Sequence, residues 1–184
     1  MLVNDTQYPQ CMFSVANNVL VDIHNRANSD RDVCRHNLQV VNCAKNAMDL
    51  AAENGNINIV KWLHDNTAEG CTIHAMDNAA KNGHLEIVKW LHNNRKEGCS
   101  TNAMDWASKY GHLEIVKWLH ENRKEGCTFA ALDFAIENGY LKIAEFLCNN
   151  RSEGCTQYAT HCSTPEVANW LNENLHTINY VYLD

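Results

Sequence analysis

One interval constrains this chain more than any other: 28 residues. Gly55, Gly83, Gly111 and Gly139 recur at that spacing. So do Cys43, Cys71, Cys99, Cys127 and Cys155, and Trp62, Trp90 and Trp118 fall in line with Phe146. Self-similarity at a fixed period means a stack of like units, each burying on its neighbours a face it cannot bury alone. The unit 71–98 reads CTIHAMDNAAKNGHLEIVKWLHNNRKEG, and its successor 99–126 reads CSTNAMDWASKYGHLEIVKWLHENRKEG. We place units at 43–70, 71–98, 99–126 and 127–154. An atypical N-terminal cap occupies 1–42, and a shortened capping unit with a tail occupies 155–184.

Each unit reads as helix, turn, helix, loop. Thr72, Ser100, Thr128 and Thr156 follow the cysteines and suit helix N-caps. Ala75, Met76, Ala79 and Ala80 then mark a helical stripe of small residues, which lets two helices approach closely. Asn82-Gly83 stops the first helix, because glycine tolerates the left-handed conformation required there. Leu85, Ile87, Val88, Trp90 and Leu91 form the wide apolar face of a second helix, with Trp90 and its equivalents assigned to the core. Arg95-Lys96 suits the negative end of that helix. Period-2 alternation is missing, so the expected fold class is all-α: a helix-turn-helix solenoid.

The ends break the pattern, as capping units must. Thr164 and Pro165 start a final helix over 165–176, and INYVYLD reads as a short docked tail. In the N-terminal segment, residues 11–26 suit an amphipathic helix.

Composition narrows the function. Of 184 residues, 45% are apolar and 20% charged, so the chain can bury a core and is not disordered throughout. A net charge of −7 offers no basic excess to neutralise phosphates, which argues against nucleic acid as a partner. No apolar run approaches a membrane span, and the opening MLVNDTQYPQ does not read as a signal peptide. Nine cysteines, an odd number, then point to reduced thiols in a cytosol-like compartment. The many asparagines are read as compositional bias, and individual ones carry little weight.

The unit resembles the ankyrin repeat. HAMDNAAKNGH (74–84) occupies the place of that family's T-P-L-H-x-A-A-x-x-G-H signature, and Ile87-Val88 and Trp90-Leu91 occupy its apolar pairs. Two departures stand out. The unit is 28 residues long against about 33, so NNRKEGC is too short for the family's β-hairpin finger. Asp49, Asp77, Asp105 and Asp133 replace the signature histidine. Short units of this kind look like those of ankyrin proteins from amoebae, oomycetes and the large DNA viruses of amoebae, where a viral member would act in the host cytoplasm. The resemblance implies a non-catalytic protein-protein interaction scaffold whose first helices line a concave face.

Recurrence also separates chemistry from architecture. One cysteine per unit cannot bring four ligands within about 2.3 Å of a zinc ion when equivalent positions lie about 10 Å apart. Cys34 with His36, and His161 with Cys162, lack partners in the sequence. The cysteines are therefore read as small buried thiols. His64, His92 and His120 end the second helices, and Cys148 takes their place in the fourth unit. His84 and His112 sit in turns, where the resemblance implies loop hydrogen bonds. The four aspartates are read as acceptors of backbone N–H groups from the next loop, since a buried carboxylate needs such partners. No catalytic residue, metal or cofactor is assigned.

The positions that change between units are free to serve a partner. Leu50, Asn78, Trp106 and Phe134 follow the aspartates. Lys81 and Lys109-Tyr110 precede two of the glycines, and Phe129 opens a first helix. Leu50, Asn78, Lys81, Trp106, Lys109, Tyr110, Phe129 and Phe134 are the candidate partner-binding residues. Trp106, Tyr110, Phe129 and Phe134 would form an aromatic cluster of the kind that anchors interfaces. Trp106 and Phe134 could instead pack between helices. The expected partner of this monomer is a protein, one with a basic patch given the net charge. Two other readings stand beside this one: an adaptor that docks residues 1–42 to a ubiquitin ligase, and a Cys/His metal-binding protein.

Overall fold

A computed structural model describes residues 47–67, 70–160, 164–174, 178 and 180–181. The segment read as the N-terminal cap, together with Cys34, His36, Cys43, His161 and Cys162, lies outside the described residues. The helices run α1 (47–53), α2 (Ile57–Asn66), α3 (Ile73–Lys81), α4 (Leu85–Asn94), α5 (Asn102–Lys109), α6 (Leu113–Asn122), α7 (Phe129–Glu137), α8 (Leu141–Asn150) and α9 (Pro165–Asn174). Helix starts at Ile57, Leu85, Leu113 and Leu141 reproduce the 28-residue interval. The chain is an all-α helical repeat solenoid.

The first helices of successive units, α1, α3, α5 and α7, form one layer, and the second helices, α2, α4, α6 and α8, form the other. The small residues decide their spacing. Ala75, Ala79, Ala103, Ala107, Ala131 and Ala135 are all buried, so α3, α5 and α7 pack far more closely on one another than α4, α6 and α8 do. A stack whose two layers differ in spacing bends towards the tighter one, which puts the first helices on the inside. Met48, Met76, Met104 and Leu132 fill the space beside the alanines, and Val60, Val88, Val116 and Ala144 complete the core from the second helices.

Turn chemistry follows the sequence. The α3–α4 turn needs glycine twice over. Gly83 has φ +84°, and a Cβ there would lie 2.8 Å from Cε1 of His112. The His112 ring occupies that space to donate Nε2–H to the carbonyl of Lys81 at 3.0 Å, and His84 does the same to Glu53 at 3.1 Å. Thr72, Ser100 and Thr128 accept N–H bonds at 3.1 Å from the residue two further on, as N-caps should. The connections 95–101 and 123–128 carry no strand, which agrees with units too short for a finger.

The tail does dock. Tyr180–Val181 pairs in parallel with Cys155–Thr156. The last unit's first helix is reduced to a 3-10 turn, Gln157–Thr160, because Pro165 already opens α9, where the Thr164 carbonyl accepts the Ala168 N–H at 2.9 Å.

One assignment to the core does not hold. Trp62 is 43% exposed, and Trp90, Trp118 and Phe146 are half-buried. These rings sit at the edge of the apolar stripe rather than its centre. Trp90 packs T-shaped with His64, Trp118 with His92 and Phe146 with His120, the ring centroids 5.2, 5.1 and 5.4 Å apart. They bridge neighbouring second helices at the outer surface.

Candidate interaction surface

Three sets of recurring contacts hold the stack: the first two reach from unit to unit, and the third mainly closes helix ends within a unit. The first set belongs to the aspartates. Asp77 accepts from the backbone N–H of Ser100 at 2.8 Å and from its hydroxyl at 2.6 Å, and Asp49 does the same with Thr72 at 2.8 and 2.6 Å. Asp105 accepts from Thr128 at 2.8 Å twice, and Asp133 from Thr156 at 2.7 Å twice. Burial pushes the Asp77, Asp105 and Asp133 carboxyls above the usual aspartate value, against the pull of these hydrogen bonds.

The second set went unseen in the sequence. Arg95 pairs with Glu97 at 2.5 Å, and the Glu97 carboxylate also accepts the N–H of Cys71, one unit back, at 3.3 Å. Arg95 donates to Nδ1 of His64 at 3.2 Å, and Arg123 to Nδ1 of His92 at 3.2 Å. A guanidinium only donates, so Nδ1 is the acceptor in each of these contacts. Arg123 pairs with Glu125 and Arg151 with Glu153 in the same way. Burial alone would raise the Glu97, Glu125 and Glu153 carboxyls, but the adjacent guanidiniums and backbone N–H groups hold them below the usual glutamate value. The signal was present: Arg-x-Glu recurs at 95–97, 123–125 and 151–153.

The third set consists of asparagines. Side-chain amides of Asn66, Asn94, Asn122 and Asn150 donate to the carbonyl four residues back, each at 2.8 Å, closing the C-terminus of every second helix. Asn82 crosses to the carbonyl of Glu53 at 2.8 Å. Reading asparagine as compositional bias overlooked this.

The thiols are part of the packing. Cys71, Cys99, Cys127 and Cys155 are buried, and burial pushes Cys71 and Cys99 up to about 11 and Cys127 and Cys155 up to about 12. Thiols held protonated are poor nucleophiles and poor metal ligands. Among the described residues no three His, Cys, Asp or Glu side chains come together as a metal would require.

The candidate partner-binding residues lie on the first-helix layer and its turns. Leu50 is 55% exposed and Tyr110 45% exposed, while Asn78, Lys81, Trp106, Lys109, Phe129 and Phe134 are half-buried. They are not scattered. The residue after Asp77, Asp105 and Asp133 touches the residue 25 positions earlier, in the preceding unit. Asn78 donates to the Glu53 carboxylate at 3.3 Å, the Lys81 ammonium lies 5.8 Å from the Trp106 ring centroid, and the Lys109 ammonium lies 4.6 Å from that of Phe134. Trp106 and Phe134 therefore neither project freely nor vanish between helices: each presents one face to a lysine of the neighbouring unit.

Among the described residues no helix is long and apolar enough to cross a membrane. No curated protein matches the chain. A family model for ankyrin repeats in three copies matches residues 76–160, and another for ankyrin repeats in many copies matches residues 48–92. Ankyrin repeats are generally protein-protein interaction modules and are typically non-catalytic. Together the two matches span the stacked helices from Met48 to Thr160, and the chain belongs to the ankyrin repeat family.

Proposed function

We propose that this protein is a non-catalytic scaffold that holds a protein partner against its first-helix face, acting as a monomer. Residues 43–154 serve as four structural units, with 155–184 closing the array. The observation that carries this reading is the ladder of variable side chains. The aspartate latches, present in all four units, and the Arg–Glu clasps, present in three, fix the backbone. The residues that differ between units collect on one face, and Leu50 and Tyr110 there are exposed apolar or aromatic side chains. A face held this rigidly loses little ordering entropy on binding, so a modest set of contacts suffices. Buried protonated thiols suit a reducing compartment, which we take to be the cytoplasm.

The test is affinity capture with mass spectrometry, comparing wild type with the Trp106→Ala/Tyr110→Ala/Phe134→Ala variant. Circular dichroism would establish that the variant keeps its helices. Partners recovered with wild type and lost with the variant support the reading. An unchanged set of partners refutes it.

A further inference from the structure

The kind of partner can be read from charge along the same ladder, an inference that rests on the first-helix face being the binding face. Positions 53, 81, 109 and 137 are equivalent, and they carry Glu, Lys, Lys and Glu. In a chain of net charge −7, the two central positions are cationic. Lys61 pairs with Glu86 at 4.0 Å and Lys117 with Glu114 at 3.2 Å. Lys81 and Lys109 make no ion pair among the described residues and rest on the Trp106 and Phe134 rings instead.

A partner seated on these rings would remove the two ammonium groups from water. Burying an unpaired charge is costly, so a stable complex must bring anions to both. A ring-lysine pair is also both apolar and cationic, which asks for an apolar group beside each anion. Equivalent positions on packed helices are about 8–10 Å apart. A polyproline II segment repeats its face every three residues, or about 9 Å, whereas a β-strand turns residue i+3 to the opposite side.

We propose that the first-helix face binds an acidic peptide segment in the polyproline II conformation, with carboxylates three residues apart meeting Lys81 and Lys109 and prolines or other apolar residues between them lying on Trp106 and Phe134. Glu53 and Glu137 favour a basic residue three positions outside each carboxylate. They also disfavour single-stranded nucleic acid, which would stack on the rings but carry phosphate past both glutamates.

Three labelled probes test this by fluorescence anisotropy at low salt. The first is Lys-Pro-Pro-Glu-Pro-Pro-Glu-Pro-Pro-Lys. The second is its charge-swapped counterpart, Glu-Pro-Pro-Lys-Pro-Pro-Lys-Pro-Pro-Glu. The third is a ten-nucleotide oligothymidylate. The first peptide should bind wild type at least tenfold tighter than either of the others, weakening as salt rises. The Lys81→Glu/Lys109→Glu variant should reverse the preference between the peptides. Equal or reversed preference by wild type, no peptide binding, a preference the variant leaves intact, or tighter binding of the oligonucleotide would each overturn the proposal. If partner capture still depends on Trp106, Tyr110 and Phe134 in that event, the binding face stands and only the partner chemistry falls. If capture ignores those residues, both fall.

Discussion

Asp105→Ala is the sharpest probe of how the array is joined. The Asp105 carboxylate accepts two hydrogen bonds from Thr128, both at 2.8 Å, and Thr128 in turn caps α7 by accepting the Ala130 N–H. Hydrogen bonds to a charged group contribute about 1.5–3 kcal/mol each. Burial works against the charge, since it pushes the Asp105 carboxyl up despite both bonds, so the low end applies and the loss is about 3 kcal/mol. That is a large share of the 5–15 kcal/mol typical of a whole domain. In a linear array the damage falls on one junction rather than on the whole. Urea unfolding followed by circular dichroism should show a lower midpoint and a broadened transition. Hydrogen exchange should show α7 and α8 losing protection while α3 and α4 keep theirs. Asp105→Asn, which keeps an acceptor for the N–H, should recover most of the loss. An Asp105→Ala variant that melts with wild type, with α7 still protected, would refute the account of the latch.

Two further outcomes follow from the packing. Gly139 has φ +72° with open space beside it, whereas Gly83 has φ +84° and His112 at 2.8 Å. Gly139→Ala should cost about 1 kcal/mol for the left-handed backbone, and Gly83→Ala about 1 kcal/mol more for the displaced His112 hydrogen bond. Equal melting temperatures would refute the assignment. The second outcome concerns acid. Glu97, Glu125 and Glu153 have depressed folded values, so their clasps contribute above the unfolded glutamate range and are lost as pH falls through the folded value. Asp77, Asp105 and Asp133 have the opposite sign: their raised values favour the folded state as pH falls from the raised value to the ordinary aspartate range. Replacing the three glutamates by Gln should lower the urea midpoint at pH 7, and that deficit should shrink towards pH 3. A deficit independent of pH would count against the clasps.

The sequence made the stack legible because period, glycine turns and alanine stripes are local features that recur in register. The aspartate latch was legible too, since an acidic residue unchanged at a buried helical position demands a donor. The Arg–Glu clasp was not. Arg95 reads as a helix-end charge, and only the fold brings it within 3.2 Å of His64, 31 residues back. Trp62 and its equivalents misled for a physical reason. A large indole inside an apolar stripe counts as core by pattern, yet at the margin of the stripe it covers its neighbour and still faces water. Lys81 over Trp106 was beyond reach of pattern altogether, because the pairing exists only between units.

The aspartate latch, the Arg–Glu clasp and the histidine bond that fills the space over a turn glycine all reach from one unit to the unit beside it. None refers to the length of the array or to a residue farther away. An in-frame duplication of 28 residues, such as 71–98, would therefore arrive with every donor and acceptor already matched at both seams. Such a gene can lengthen its product without re-optimising the rest, gaining a fresh set of unconstrained positions at each step. The near-identity of 71–98 and 99–126 outside those positions is what that history would leave behind.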